Sequence, residues 1–325
     1  MRLVIVGPGV MPIPPRGWGA VESLIWDYKV FLDKYHPDIE TIIVNERDTN
    51  DMIAKVNSLN PDIIHIQYDE LAKFYTFFNC KKVLLTSHYG YLDQLQDLIN
   101  RGDTHYFHHV FRDFIKTRCY LLALSPSIAD VYRNAGYPEQ LVYVQPNGAN
   151  DEIFRYSEQP RFADRSLYLA KIDMRKRQVH YQGIEGLWFA GNIADSGFNA
   201  QNPRYLGEWT KEYLYDNLTD YGNLVLLSDG EAHPLVCCEA LVCGLGLVIS
   251  EYATANLDLS LPFIKVIPKD KLNDIPYITQ AIQENRRASF ILRKQIREYG
   301  VKTFSWKVAV EKYAAFLRNV LINNR

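Results

Sequence analysis

The apolar positions of this chain fall into short continuous runs separated by longer stretches with helical spacing. In the first half the runs cover residues 3–6, 41–44, 63–66, 83–86, 120–124 and 142–144. Apolar runs of that length without polar alternation read as strands buried on both faces of a parallel sheet. Helical spacing over 21–33, 51–58 and 102–117 lies between them. Strand and helix in alternation imply a doubly wound α/β domain. A polar, irregular stretch at 150–165 reads as a connection. A second series follows, with strands expected at 166–170, 186–190, 204–206, 224–227, 246–250 and 263–267. Its helices are expected at 211–215, 234–243 and 275–299, and a last helix at 306–323. Two such domains in tandem suggest a ligand held in a cleft between them, at the carboxyl ends of strands.

Composition narrows the class. A chain of 325 residues is long for one hydrophobic core, so two domains are the better expectation. A net charge of −2 gives no support to a nucleic-acid-binding surface. The five cysteines are odd in number and show no C-x-x-C spacing, which reads as small core residues in a reducing compartment. The N-terminus opens on a strand rather than a basic-then-apolar leader, and no apolar run reaches membrane-spanning length. A cytoplasmic enzyme is expected.

Candidate chemistry gathers at the strand-to-helix junctions. "SDGEAHPLVCCEALVCG" (228–244) reads as a strand end, a loop, and a helix opened by Pro234 and stopped by Gly244. The first amides of such a helix, those of Leu235 and Val236, form an anion site, and Glu231 and Glu239 frame it. "LYLAKIDMRKRQ" (167–178) sets Lys171, Arg175, Lys176 and Arg177 just after a strand of the same domain. Cations and amides converging there suit a diphosphate, although a charge run is more often a solvated face. "GPGVMPIPPRGWGAVESL" (7–24) lacks the G-x-G-x-x-G spacing of a dinucleotide loop, but Gly17 and Gly19 stand where a helix begins. Glycines there let backbone amides approach a ligand, or simply make a turn. His88 lies just past a strand end. His65 lies inside a strand and is expected to be packed or hydrogen-bonded. His105, His108 and His109 have helical metal-ligand spacing but no carboxylate or cysteine at fitting offsets, so no metal is expected. Neither a P-loop nor a D-x-D occurs.

Taken in order, these segments resemble the retaining glycosyltransferases of family 4, which have the GT-B fold of two Rossmann-like domains facing across a cleft. "RGWGAVESL" is similar to the family's glycine-rich loop, "PDIIHIQ" and "LLTSHYG" to its next landmarks, and Asn147–Asn150 to its N-G-x-D turn. "AKIDMRKRQ" takes the place of the basic motif, Glu231 and Glu239 supply the E-x7-E spacing, and "FSW" precedes the final helix. Departures are Lys171 for a usual arginine, Arg177 for a glycine, 232–234 in a usually glycine-containing loop, and Gly246 for a proline. The resemblance implies an N-terminal acceptor-binding domain over 1–155, a nucleotide-sugar-binding domain over 160–305, and a helix at 306–325 crossing back to the first. It implies that Lys171, Lys176 and the Leu235 and Val236 amides hold the donor diphosphate in place of a metal. Glu231 would then face the donor sugar, Glu239 the ribose, and His88 the reacting centre, with Gly17 and Gly19 bringing amides from the other domain. The donor is expected to be a UDP- or GDP-linked sugar, and the acceptor a sugar, glycan or lipid-linked hydroxyl. No cofactor is expected, and loose peripheral membrane association remains open. A catalytically silent sugar-nucleotide-binding module and a sugar-nucleotide epimerase of the same fold are the alternatives.

Overall fold

The computed structural model describes residues 1–15, 19–89, 92 and 105–322, without the side chains of 105–108. Two compact units share the chain, one made of Met1–Asn147 with Trp306–Arg325, the other of Gly148–Ser305.

The first unit is built on a six-stranded parallel sheet. Its strands are β1 (Arg2–Val6), β2 (Glu40–Val44), β3 (Ile63–Ile66), β4 (Val83–Leu85), β5 (Tyr120–Ala123) and β6 (Val142–Val144), in the order β2-β1-β3-β4-β5-β6. Parallel pairing requires crossovers, which put helices on the sheet faces and leave the central strands dry on both sides. Accordingly Leu3 to Val6, Ile63 to Ile66 and Leu121 to Ala123 are buried. The crossovers include α1 (Ala20–Tyr35), α2 (Thr49–Ser58), α3 (His105–Ile115) and α4 (Pro126–Asn134). Asp48 caps α2 and Ser125 caps α4, each accepting hydrogen bonds from first-turn amides. A 3₁₀ segment, Asp69–Phe77, follows β3 where no element was expected. The C-terminal helix, Trp306–Ile322, packs on α1: Tyr28 meets Trp306 at 4.9 Å and Tyr313 at 4.8 Å between ring centroids.

The second unit carries five parallel strands, β7 (Phe162–Leu169), β8 (Leu187–Ala190), β9 (Tyr221–Leu226), β10 (Gly246–Ser250) and β11 (Ile264–Ile267), ordered β11-β10-β9-β7-β8. Between and after them come α5 (Gln178–Tyr181), α6 (Lys211–Asn217), α7 (Leu235–Val242) and α8 (Ile275–Phe304), which makes the C-terminal helix α9. Two expectations are corrected here. β7 begins at Phe162, inside the stretch read as a connection, because Phe162 pairs with Tyr221 across an irregular register. The strand expected at 204–206 is only an isolated bridge between Phe189 and Tyr205. A segment of three residues that pairs only at Tyr205 does not make a ladder, and the loop around it is held instead by side chains such as Asn202 and Arg204, which both donate to the Gln182 carbonyl. Helices α7 and α8 approach closely because Gly300 has no side chain: a Cβ there would stand 2.5 Å from the Leu241 carbonyl carbon.

Candidate functional site

The best-defined polar cluster lies at the carboxyl ends of β7 and β9. After β7 the chain makes a 3₁₀ turn, Met174–Lys176, capped by Asp173, whose carboxylate accepts the Lys176 amide at 2.9 Å. Arg177 follows in the left-handed conformation, φ 60°. That conformation costs a side-chain-bearing residue on the order of 1–2 kcal/mol, which explains why glycine suits the position. Here the guanidinium offsets the cost with bonds to the Tyr181 hydroxyl (3.1 Å), Asp229 (3.1 Å) and Asn273 (2.6 Å).

The turn is stitched to the loop after β9. The Asp229 amide donates to the Arg175 carbonyl at 2.9 Å, and Arg175 Nη1 donates to the Gly230 carbonyl at 2.7 Å. Lys176 Nζ donates to Glu231 Oε1, and Arg175 stands 3.7 Å from the same oxygen. Tyr168, buried in β7, ties both loops from below: its hydroxyl donates to the Lys176 carbonyl (2.6 Å) and accepts the Leu227 amide (2.8 Å). The Lys176 and Glu231 side chains are only 12% and 10% exposed, so their attraction is screened far less than a surface pair's.

Helix α7 begins at Leu235, four residues after Glu231. Pro234 is its N-cap and no side chain caps it, so the first turn presents backbone amides at its positive end. Cys237, Cys238, Ala240, Leu241 and Val242 are buried, leaving Leu235, Val236 and Glu239 as the partly exposed residues of the helix. Those three share a face by their three- and four-residue spacing. Burial pushes the Cys237, Cys238 and Cys243 thiols up, which makes them inert core residues. His233 is buried, its pKa pushed down to about 4, with Nε2 3.4 Å from the Cys238 sulfur. A neutral imidazole locks the loop between Glu231 and α7.

Lys171 does not join this cluster. Its side chain is exposed, and its carbonyl accepts Gln178 Nε2 at 2.9 Å. Arg175 takes the position beside Glu231 instead, and Asp173 builds the turn; neither was singled out for a role from sequence. The signal for Asp173 was present, since an Asp three residues before a lysine at a strand end is a capping spacing. Nothing in a run of four cations says which of them turns inward.

In the first unit, Gly19 is the N-cap of α1 with φ 136°, a conformation that side chains disfavour, and its carbonyl accepts both the amide and hydroxyl of Ser23. Gly17 lies outside the described residues. His88 follows β4; its Nε2 meets Gln67 Oε1 at 2.8 Å, and its amide donates to Asp69 at 3.4 Å. Burial pushes the His88 imidazole down to about 4 and lifts the Asp69 carboxyl to about 6. His65 is packed and hydrogen-bonded within β3, as expected, between Tyr313 and Thr86. Among the described residues no group of three or more histidine, cysteine or acidic side chains is placed to hold a metal, and no helix is long and apolar enough to cross a membrane.

Two parallel-sheet Rossmann-like domains with these loops at strand ends define the GT-B fold. No family model matches the sequence, and no curated protein matches it as a relative. Solved structures do match in fold. Sucrose-phosphate synthase from Thermosynechococcus elongatus superposes with a TM-score of 0.75 at 16% identity, covering 99% of this chain and 100% of that one. Anabaena Alr3699/HepE in complex with UDP-glucose gives 0.69 at 14% identity, covering 98% and 100%. The lipopolysaccharide outer core galactosyltransferase WaaB gives 0.64 at 15% identity, with the same coverage. These neighbours are GT-B glycosyltransferases.

Proposed function

We propose that this chain is a retaining glycosyltransferase of the family 4 type. It moves a sugar from a nucleotide-diphosphate sugar, uridine- or guanosine-linked, to a hydroxyl acceptor without a resident metal. The observation that carries this reading is the Lys176–Glu231 pair, set with Arg175 beside the uncapped first turn of α7. That arrangement offers cationic and amide donors for a diphosphate next to a carboxylate acceptor for sugar hydroxyls. Complexes of HepE with UDP and with UDP-glucose, on the same fold, supply the ligand class.

On this reading Lys176 turns from Glu231 to the leaving phosphate as the donor binds, and Glu231 exchanges that partner for sugar hydroxyls. Glu239 accepts from the ribose diol, and Lys171 adds positive charge at the edge of the phosphates. The bond from the anomeric carbon to the phosphate oxygen breaks while the acceptor oxygen bonds to the same face. The acceptor's proton passes to the departing phosphate. Donors already in place for the growing negative charge lower the barrier without reorganisation. His88 and Gly19 of the first unit are assigned to sugar and acceptor recognition.

The test is incubation with uridine, guanosine and adenosine diphosphate sugars and a panel of hydroxyl acceptors, with nucleoside diphosphate release and product anomeric configuration as readouts. Release of one nucleotide with retained configuration, unchanged by excess chelator, is expected. Binding without release from any donor and acceptor would leave a silent binding module. Inversion, or loss of activity with chelator, would overturn the mechanism.

A further inference from the structure

We infer that Gln67 is a positioning residue that fixes His88 in the Nε2–H tautomer, leaving Nδ1 as a hydrogen-bond acceptor for a substrate hydroxyl. The inference rests on the assignment of His88 to sugar recognition above, and adds the direction in which that histidine bonds.

The argument starts from the far end of a buried chain of polar groups in the first unit. Tyr313, on α9, is fully buried, and its hydroxyl lies 2.7 Å from His65 Nδ1. Thr86 Oγ1 lies 2.7 Å from His65 Nε2. Burial pushes the His65 imidazole down to about 3, so the ring is neutral, with one donor and one acceptor nitrogen. Of the two hydroxyls the phenol is the stronger acid, hence the better donor and the poorer acceptor. Tyr313 therefore donates to Nδ1, and Nε2–H donates to Thr86. The one Nδ1 lone pair, engaged by Tyr313, also faces the Gln67 amide group 3.4 Å away, where an amide oxygen would set lone pair against lone pair and only the NH₂ end can share the acceptor. With its nitrogen turned to His65, Gln67 presents Oε1 to His88 Nε2 at 2.8 Å. A carbonyl oxygen only accepts, so His88 Nε2 carries the proton. Among the described residues no protein atom is bonded to His88 Nδ1. A neutral ring with its proton committed to Gln67 can take a hydroxyl proton's hydrogen bond but cannot donate one from that side.

Each step depends on the one before it, so a change at Tyr313 reaches His88 across two intervening side chains. A purely local contact between Gln67 and His88 would not transmit it.

Long-range ¹⁵N–¹H correlation spectra of histidine-labelled protein near neutral pH read the tautomer directly. Wild type is expected to show His88 as a single Nε2–H species. Gln67→Met, which keeps the volume but removes the acceptor, is expected to give a mixture of both tautomers. Tyr313→Phe is expected to mix the tautomers of His65 and, through Gln67, of His88. In transfer assays Gln67→Met should lower kcat by about tenfold with donor KM little changed, the scale seen when a partner that orients a functional imidazole is lost. Wild-type His88 protonated at Nδ1 would overturn the inference whether or not any variant folds, and so would a Gln67→Met spectrum with His88 unchanged. The expected spectra in a protein that transfers no sugar would leave the relay standing and remove the functional reading instead.

Discussion

Lys176 and Glu239 both belong to the second unit, yet their substitutions are expected to fail differently. On the proposed mechanism Lys176 faces the place where charge grows as the glycosidic bond breaks. Lys176→Ala should therefore lower single-turnover rates by roughly 10²–10³-fold, with a smaller loss in donor affinity. Glu239 sits one helical turn along α7 from Leu235, and on the same proposal it meets the ribose, a part of the donor that does not change during reaction. Glu239→Ala should weaken donor binding by on the order of 1–3 kcal/mol while the saturated rate stays near wild type. Calorimetry and rapid quench on matched variants separate the two. A normal saturated rate in Lys176→Ala would remove that lysine from the chemistry. Sequence pointed to Lys176, Glu231 and Glu239 by order and spacing. It could not distinguish Arg175 from Lys171, because which cation turns inward depends on the Asp173 cap and the left-handed Arg177, both set by backbone geometry.

At the scale of elements, the position of α7 depends on α8. Gly300 lets the two helices touch backbone to backbone, and Arg297 of α8 donates to the Val242 carbonyl at the end of α7. Gly300→Ala inserts a methyl group where a Cβ would lie 2.5 Å from Leu241. Overpacking of that kind costs about 1–3 kcal/mol, and relief requires α7 to move. Urea denaturation should show the stability loss, and nucleotide affinity should fall with it although residue 300 touches no ligand. Unchanged affinity in a destabilised Gly300→Ala would show that α7 does not shift. Nothing in the sequence marks Gly300 as a contact glycine rather than a weak spot in a 30-residue helix. The strands of the two sheets were legible because burial on both faces leaves an uninterrupted apolar run. The 3₁₀ segment Asp69–Phe77 was not, since it has neither period.

At the scale of the whole molecule, buried His65 and His233 and half-buried His88 shape the response to acid among the described residues. His65, His88 and His233 have folded pKa values pushed down to about 3, 4 and 4, against 6.5 when exposed. The unfolded chain thus binds more protons below pH 6.5, and stability is lost as pH falls through that range. Asp69, lifted from 3.8 to about 6, works the other way, because its folded form holds the proton more tightly. Melting temperature should therefore fall from pH 6.5 to pH 4.5, and more steeply in Asp69→Asn, where the opposing group is gone. A shallower fall in that variant would contradict the assignment. Hydrogen exchange with saturating nucleotide should add protection at 171–178 and 229–236, and protection confined to other segments would displace the candidate site. By itself the sequence determined the two α/β units, most of their strands and helices, and the loops that carry chemistry. Those follow from local periodicity, capping and the covalent order of the chain. Only the tertiary structure decided that Lys176 meets Glu231, that Arg175 joins them, that Gln67 meets His88, and that Tyr313 meets His65. Those pairings join residues from 21 to 248 positions apart, and no local pattern encodes which distant side chains burial will bring within bonding distance.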